Sequence, residues 1–168
     1  VLQAALEGAT SLLLFPTKAL AHDQLRRLRA MAQVLGVEGV FPYDGDTPSA
    51  TRRQARERGL VLLSNPDMLH YGLLPRHPDW APFLARLRYV VLDELHAYRG
   101  VFGTHVALIL RRLLRLARHY GASPQVLAAS ATIANAREHA EALTGLPFEE
   151  LKAQVARTER ELLVLLPK

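Results

Sequence analysis

The sequence lacks cysteine altogether, holds few lysines and has no long apolar run. The absence of cysteine excludes a disulfide scaffold, a cysteine-based zinc finger and a thiol nucleophile. The early apolar run from Leu12 to Phe15 is far too short to span a bilayer. We therefore expect an intracellular, cytoplasmic protein.

The composition is that of one globular domain. The chain has 168 residues, of which 49% are hydrophobic and 22% charged, so disorder is excluded as its main state. The formal net charge is +5, and only Lys18, Lys152 and Lys168 of the 21 basic residues are lysine. The planar fork of arginine suits phosphate recognition, although genomic base composition explains an arginine bias equally well. The charge permits a polyanionic partner without proving one.

Short apolar runs recur along the chain, separated by helical patterns. Most are continuous rather than alternating, which is typical of strands buried on both faces of a sheet. We predict an α/β fold with a parallel sheet and crossover helices on both faces. The predicted strands are Leu12–Phe15, Gly39–Phe41, Leu60–Leu63, Tyr89–Leu92, Val126–Ala129 and Leu162–Leu166.

Two helices have a clear apolar stripe. The first runs from about Phe102 to His119, and the second follows Lys18. In the first, the residues predicted to face the core are Val106, Ile109, Leu110, Leu113, Leu114 and Ala117. In the second, they are Leu25, Leu28, Met31, Ala32 and Leu35.

Polar turns follow the predicted strands, where ligands collect in open parallel sheets. Thr17 is a candidate helix cap beside Lys18, Asn65 is a second candidate cap, and Ser130 and Thr132 place two hydroxyls on a third turn. Taken singly, each of these residues is explained as an ordinary helix cap. Together they favour an edge that faces phosphate groups. Gly45, in the loop after the second strand, allows close approach of a ligand, and a plain turn explains it equally well.

The string Asp93-Glu94-Leu95-His96 follows a buried strand. Burial of adjacent carboxylates is costly unless a cation or hydrogen bonds compensate. An aspartate at this place in nucleoside triphosphatases holds Mg²⁺ through water, and a neighbouring glutamate polarises the attacking water. We predict a hydrogen bond between His96 and the turn at Ser130–Thr132. A metal hydrolase with Asp93, His96 and His105 as ligands is an alternative, although no other segment completes the ligand set.

Read in order, these segments resemble the first RecA-like domain of superfamily-two DEAD/DEAH-box helicases. The resemblance covers residues 1 to 146, and fuller strings around Tyr43–Pro48 and Asn65–His70 are most similar to the DNA helicases related to mitomycin repair factor A. The matching motifs are Pro16–Ala21 with Gln24 for motif Ia, Asp44–Asp46 for the glycine loop, Ser64–Leu69 for motif Ib, Asp93–His96 for motif II and Ser130–Thr132 for motif III.

The resemblance implies a RecA-like fold of the P-loop NTPase type, with a parallel sheet and helices on both faces. It also implies an ATP-dependent motor that moves on single-stranded or tailed DNA with 3′-to-5′ polarity. It implies that Asp93 positions Mg²⁺ and that Glu94 activates the hydrolytic water. It further implies that His96, Ser130 and Thr132 couple the nucleotide site to the strand. The residues that would contact the phosphate backbone are Thr17, Lys18, Gln24, Gly45 and Asn65. Such contacts carry no sequence specificity.

The departures from the family pattern are informative. No G-x-x-x-x-G-K-[ST] loop for the ATP phosphates occurs in the 168 residues. We expect that the chain begins just downstream of that loop, and that residues 147–168 lead toward a second RecA-like domain of the same parent. We predict that the chain alone neither hydrolyses ATP nor unwinds DNA. A non-catalytic nucleic-acid-binding module and an RNA helicase domain are the alternatives.

Overall fold

The computed structural model describes residues 1–131 and 135–151. The strands are β1 (Thr10–Leu14), β2 (Val40–Tyr43), β3 (Val61–Ser64), β4 (Leu87–Leu92) and β5 (Gln125–Ala128). The helices are α1 (Leu2–Leu6), α2 (Lys18–Val34), α3 (Ser49–Arg58), α4 (Pro66–Met68), α5 (Ala81–Ala85), α6 (Gly100–His119) and α7 (Ala136–Thr144). The strand predicted at 162–166 lies outside the described residues.

The five strands form one sheet in the order β2-β3-β1-β4-β5, and every pair in it is parallel. The predicted parallel α/β fold is therefore confirmed. β1 and β4 start two residues earlier than predicted and β5 one residue earlier, whereas β2 and β3 start one residue later. In β1 the two added residues, Thr10 and Ser11, are polar but fully buried in the sheet. The crossing helices return each strand to the same direction, so all five carboxyl ends lie at one edge.

Helices cover both faces of the sheet, as predicted. Side chains alternate along each strand, so in β1 Leu12 and Leu14 join one core cluster and Leu13 joins the other. The cluster that contains Leu13 is closed by residues of α1 and α2, and the larger cluster by the remaining helices. All six α6 residues that were predicted to face the core are buried. None of the helices among the described residues is long and apolar enough to cross a membrane.

The prediction for α2 is partly wrong. Leu25 and Ala32 are buried as expected, whereas Met31 is 52% exposed and Leu35 is 49% exposed. The stripe that meets the sheet runs through Leu25, Leu28 and Ala32, and Met31 lies to one side of it at about 100° per residue. Leu35 is the C-cap, beyond the last helical residue.

The segment between β3 and β4 is a chain of short helices. After α4 it forms a π-helical turn over Leu69–Leu73 and 3₁₀ turns over Leu74–Trp80, and it then enters α5. Arg76 breaks the helical run with φ −109° and ψ 29°. Leu69, Leu73 and Trp80 are fully buried, so the segment is anchored in the larger core although its helices are short.

Candidate functional site

The polar turns after all five strands lie side by side. In the strand register, Leu14 is paired with both Ser64 and Leu92, Leu92 is paired with Ala128, and Ser64 is paired with Tyr43. The residues that follow these strand ends are therefore neighbours across the sheet edge. We call this edge the rim, and it comprises residues 15–18, 44–47, 64–66, 93–96 and 129–131. The rim is where parallel sheets bind ligands.

The turn after β4 is held in an unusual backbone conformation. Glu94 has φ 51° and ψ 48°, the one left-handed non-glycine residue among the described residues. Its amide donates to Oδ1 of Asp93 at 3.0 Å, and the amide of Leu95 donates to the carbonyl of Ala129 at 2.9 Å. A left-handed conformation costs a residue with a side chain about 1–2 kcal/mol, and such residues cluster at functional sites. The bond from Leu95 to Ala129, in the turn after β5, thus helps to hold the carboxylates of Asp93 and Glu94 at the end of β4.

His96 links the turns after β4 and β5. Its Nδ1 lies 3.2 Å from Oε2 of Glu94 and 3.4 Å from Oγ of Ser130, which is itself buried. The contact with the turn at Ser130 that the sequence predicted is present. Glu94 and His96 are each more than a third exposed, so water has access to both side chains. Thr132, predicted to share the coupling role with Ser130, lies outside the described residues.

Tyr98 was missed by the sequence reasoning as a site residue. Its side chain is fully buried, and its hydroxyl donates to the carbonyl of Leu14 at 3.3 Å. Burial raises the pKa of Tyr98, and the charges of Asp93 and Glu94 raise it further, so the hydroxyl stays protonated. The same carbonyl of Leu14 accepts the amide of Asp93 at 3.0 Å. Tyr98 therefore ties the end of β1 to the turn that carries the carboxylates.

The start of α2 meets the loop after β2. Thr17 caps the helix as predicted, because its hydroxyl accepts the amide of Leu20 at 3.4 Å. Nζ of Lys18 donates to Oδ2 of Asp46 at 2.7 Å. A Cβ atom added to Gly45 would stand 3.4 Å from the same Nζ, so the glycine leaves room for the lysine. The hydrogen bond with Asp46 raises the pKa of Lys18, which keeps its positive charge at the rim.

Asp44 organises this loop, which the sequence reasoning did not foresee. It is 3% exposed, and its Oδ1 accepts from the hydroxyl of Thr47 at 2.8 Å and the amide of Asp46 at 2.9 Å. Its Oδ2 lies 2.9 Å from Nε2 of His22 on α2. Burial alone would raise the pKa of Asp44, but the hydrogen bonds from Thr47, His22 and Asp46 outweigh it and lower the pKa. Asp44 is therefore a carboxylate at neutral pH.

Two further predicted residues lie on helices at or near the rim. Asn65 caps α4, with Oδ1 accepting the amide of Met68 at 2.8 Å, and Pro66 takes the first helical position as expected. Gln24 is half-buried on the second turn of α2, further from the sheet edge than Thr17 and Lys18. Asn135 takes the N-cap position of α7, and its side chain makes no capping hydrogen bond within the described residues.

The metal-hydrolase alternative does not fit. Within residues 1–131 and 135–151, no group of three or more His, Cys, Asp and Glu side chains is arranged to hold a metal ion. His105 is exposed on α6 and completes no set with Asp93 and His96. A single half-buried carboxylate such as Asp93 does suit Mg²⁺, which keeps several waters and takes one or two carboxylates. The G-x-x-x-x-G-K-[ST] loop that cradles a triphosphate does not occur in the 168 residues.

A five-stranded parallel sheet covered by helices on both faces, with these turns along one edge, defines a RecA-like domain of the kind found in helicases. The DEAD/DEAH box helicase family model matches residues 1–140. The chain therefore belongs to the DEAD/DEAH box helicase family.

Individual relatives agree with this assignment. The chain is 49% identical over 151 residues to the uncharacterized ATP-dependent helicase YprA of Bacillus subtilis, covering 88% of the chain and 20% of YprA. It is 41% identical to the ATP-dependent helicase HRQ1 of Saccharomyces cerevisiae, covering 82% of the chain and 13% of HRQ1. The crystal structure of the helicase MrfA bound to DNA and AMPPNP superposes with a TM-score of 0.81 at 49% identity, over 84% of this chain and 20% of MrfA. The chain thus spans a fifth or less of these relatives.

Proposed function

We propose that this chain forms part of an ATP-dependent DNA helicase or translocase motor, in which it carries the hydrolysis carboxylates and one wall of the DNA path. One observation carries the proposal. The carboxylate turn of Asp93 and Glu94 is joined through His96 to the turn at Ser130 after β5. The turns at Thr17 and Asn65 follow β1 and β3, the next two strands on the other side of β4, at the same edge of the sheet. Chemistry and strand binding can therefore influence one another across neighbouring turns.

The hydrolytic part belongs to the turn after β4. When bound, Mg²⁺ and ATP supply the scissile phosphoanhydride bond and the neutralising charge. Asp93 would hold the ion through water, and Glu94 would accept a proton from the attacking water at Oε2, the oxygen that faces His96. Protonation of Glu94 would alter its contact with Nδ1 of His96, and the altered imidazole would in turn change its contact with Ser130. The sharing of one histidine nitrogen by Glu94 and Ser130 supports this coupling role.

The strand-binding part belongs to the turns before α2 and α4 and the loop at Gly45. Thr17, Lys18, Gly45 and Asn65 offer a hydroxyl, a cation, exposed backbone and an amide, all of which suit phosphate oxygens. Gln24 would contribute from the next turn of α2. Contacts of this kind bind any sequence and weaken as salt rises. We infer that the chain binds the DNA backbone without sequence preference.

DNA is preferred over RNA as the partner. One solved structure of MrfA, at 49% identity, has DNA bound, and a structure of the helicase Lhr of Mycobacterium smegmatis, at 31% identity, has single-stranded DNA bound. These likenesses support a DNA strand, with the 3′-to-5′ polarity expected of the subgroup. A second RecA-like domain of the same parent would close the site from the opposite side. A cytoplasmic location remains a prediction from the cysteine-free composition.

The proposal is tested by binding of labelled single-stranded DNA to the chain and to the Lys18→Ala variant across a range of salt concentrations. We expect weaker binding to every sequence and a salt slope reduced by about one, because one phosphate contact is lost. Arg26→Ala is the matched control, since Arg26 is 82% exposed on the same helix and is also paired with an aspartate. Equal affinity and slope for the chain and its Lys18→Ala variant would contradict the proposed rim contacts.

The alternative function is a non-catalytic nucleic-acid-binding module, in a parent protein without a loop for the ATP phosphates. If it is correct, single-stranded DNA binding survives in every longer protein that carries this chain, while ATP hydrolysis is absent from all of them. Hydrolysis that depends on Glu94 in such a protein would eliminate it.

A further inference from the structure

A basic pocket lies beside the rim, and its arginines lie outside the motifs singled out in the sequence. It is a cavity of about 400 Å³ between α3 and the π-helical turn that follows α4. The residues that matter here are Gly45, Arg52, Arg56, Met68, Tyr71 and Arg76, which together we call the arginine pocket. Gly45 belongs to both the pocket and the rim, so the two surfaces are continuous.

The pocket carries excess positive charge. Tyr43 lies at its base, where the positive charges of Arg52, Arg56 and Arg76 oppose the increase in the pKa of Tyr43 that burial causes. Arg52 is engaged structurally, since it donates to the carbonyls of Asp44 and Gly45 at 2.9 and 2.8 Å. Among the described residues, Arg56 has one ion pair, a long one of 3.8 Å with Asp79. Arg76 is exposed and, in the part of the chain that the structure describes, has no ion pair.

An exposed aromatic ring stands at the edge of the pocket. Tyr71 is 76% exposed although it belongs to a segment whose other apolar residues, Leu69 and Leu73, are fully buried. Its ring meets His70 in a T-shaped contact with centroids 4.6 Å apart, which orients the ring and leaves most of it open to solvent. Aromatic rings next to cationic grooves are the standard platform for stacking of single-stranded bases.

We propose that the arginine pocket binds one nucleotide of the single strand beyond the rim, with the phosphate at Arg76 and Arg56 and the base against Tyr71. The inference rests on the proposed function, because the strand must first lie along the rim at Gly45. The contacts of the three arginines indicate different roles for them. Arg52 fixes the backbone that separates rim and pocket, and the two other guanidinium groups remain for the ligand.

Base stacking against Tyr71 would exclude double-stranded DNA from the arginine pocket. A stacking contact requires an unpaired base, so the pocket would distinguish single-stranded from double-stranded DNA, whereas phosphate contacts at the rim would not. The pocket would therefore lengthen the bound single strand by one nucleotide and add a preference for strand ends or unwound regions.

The test measures binding of the whole 168-residue chain to fluorescent oligothymidine by anisotropy at several salt concentrations. We expect Arg76→Ala to lower the affinity and reduce the salt slope by about one. We expect Tyr71→Ala to lower the affinity by about fivefold or more, and Tyr71→Phe to retain it, because the ring and not the hydroxyl stacks. Arg58→Ala is the matched control, since Arg58 is exposed on α3 and does not line the pocket.

A second ligand separates base stacking from loss of fold. With an oligonucleotide made only of abasic sites, the chain and Tyr71→Ala should bind equally, while Arg76→Ala should remain weaker. Both side chains are exposed, so both variants should keep the melting temperature of the chain. A Tyr71→Ala defect that persists on the abasic strand would overturn base stacking at this pocket.

The outcomes distinguish the pocket from the rim. If Lys18→Ala weakens binding while Arg76→Ala and Tyr71→Ala do not, the pocket is overturned and the rim stands. If Arg76→Ala and Tyr71→Ala weaken binding while Lys18→Ala does not, the pocket stands and the rim contact at Lys18 is overturned. If the chain shows no binding to oligothymidine, or none of the three variants differs from it, both are overturned.

Discussion

Lys18 and Asp46 form a 2.7 Å ion pair across the rim, although 28 residues separate them. The pair joins the first residue of α2 to the loop after β2, and both side chains are exposed, at 46% and 70%. Water and salt screen such a pair, so an approaching phosphate can replace the carboxylate. Asp46 would therefore compete with the DNA backbone for the only lysine of the rim.

The first prediction follows from that competition. Asp46→Asn should strengthen binding of single-stranded DNA by about two- to fivefold at low salt, because Lys18 is released and one repulsive charge is removed. Asp23→Asn is the control, since Asp23 is also an exposed aspartate in ion pairs, on the side of α2 that carries Arg26 and Arg27. Weaker binding by Asp46→Asn would show instead that Asp46 holds Lys18 in its binding position.

The second prediction concerns the left-handed backbone of Glu94. Glycine adopts this conformation without a steric penalty, so Glu94→Gly should raise the free energy of unfolding by about 1 kcal/mol relative to Glu94→Ala. Both variants lose the carboxylate and its contact with His96, so their difference isolates the backbone. The measurement is chemical denaturation of both variants under the same conditions. Equal stability of the two variants would contradict a strained Glu94.

The two Glu94 variants should also share one defect. Neither can accept a proton from water, so neither should support hydrolysis, however stable it is. If Glu94→Gly is more stable than Glu94→Ala and both are inactive, the left-handed backbone at Glu94 costs stability and serves to position the carboxylate.

The third prediction is a pH dependence of stability that arises from Asp44. Its pKa in the folded chain is below the ordinary value of 3.8, so the folded state favours the charged form. The stabilisation is fully present above pH 3.8 and is lost as the pH falls through the lower folded pKa. Asp44→Asn should therefore melt at a lower temperature than the chain at pH 7, and the gap should narrow below about pH 4.

Asp46→Asn serves as the comparison for this pH series. Asp46 is an exposed carboxylate of the same loop, and its side chain takes no part in the hydrogen bonds around Asp44. A gap for Asp44→Asn that stays constant from pH 7 to pH 3 would contradict a stabilising charge on Asp44.

Most of the fold could be predicted because its determinants are local in the sequence. Continuous apolar runs such as Leu60–Leu63 and Tyr89–Leu92 indicate strands buried on both faces, and the polar turns after them mark one edge. The prediction was wrong where burial depends on how far a helix extends along its sheet. Met31 and Leu35 continue the apolar pattern of α2 but stand beside or beyond its contact with the sheet.

The candidate site could be predicted only as far as its motifs. Thr17 and Asn65 cap helices by bonds to residues three positions away, so the sequence alone indicates them. The contacts of Asp44 with His22 and of Tyr98 with Leu14 join residues 22 and 84 positions apart, and no local pattern signals them. The arginine pocket was missed for the same reason, because its arginines come from two separate segments.

We propose that in the parent protein the turn after β4 takes part in ATP hydrolysis that responds to DNA bound along the same rim. The most direct measurement is ATP hydrolysis, with and without single-stranded DNA, by a longer protein that carries this chain after a G-x-x-x-x-G-K-[ST] loop. The 168-residue chain alone should show no hydrolysis. The longer protein should show hydrolysis stimulated by DNA, and Glu94→Gln should abolish it while DNA binding is retained. DNA-stimulated hydrolysis that survives Glu94→Gln, or that the 168-residue chain performs alone, would contradict this account.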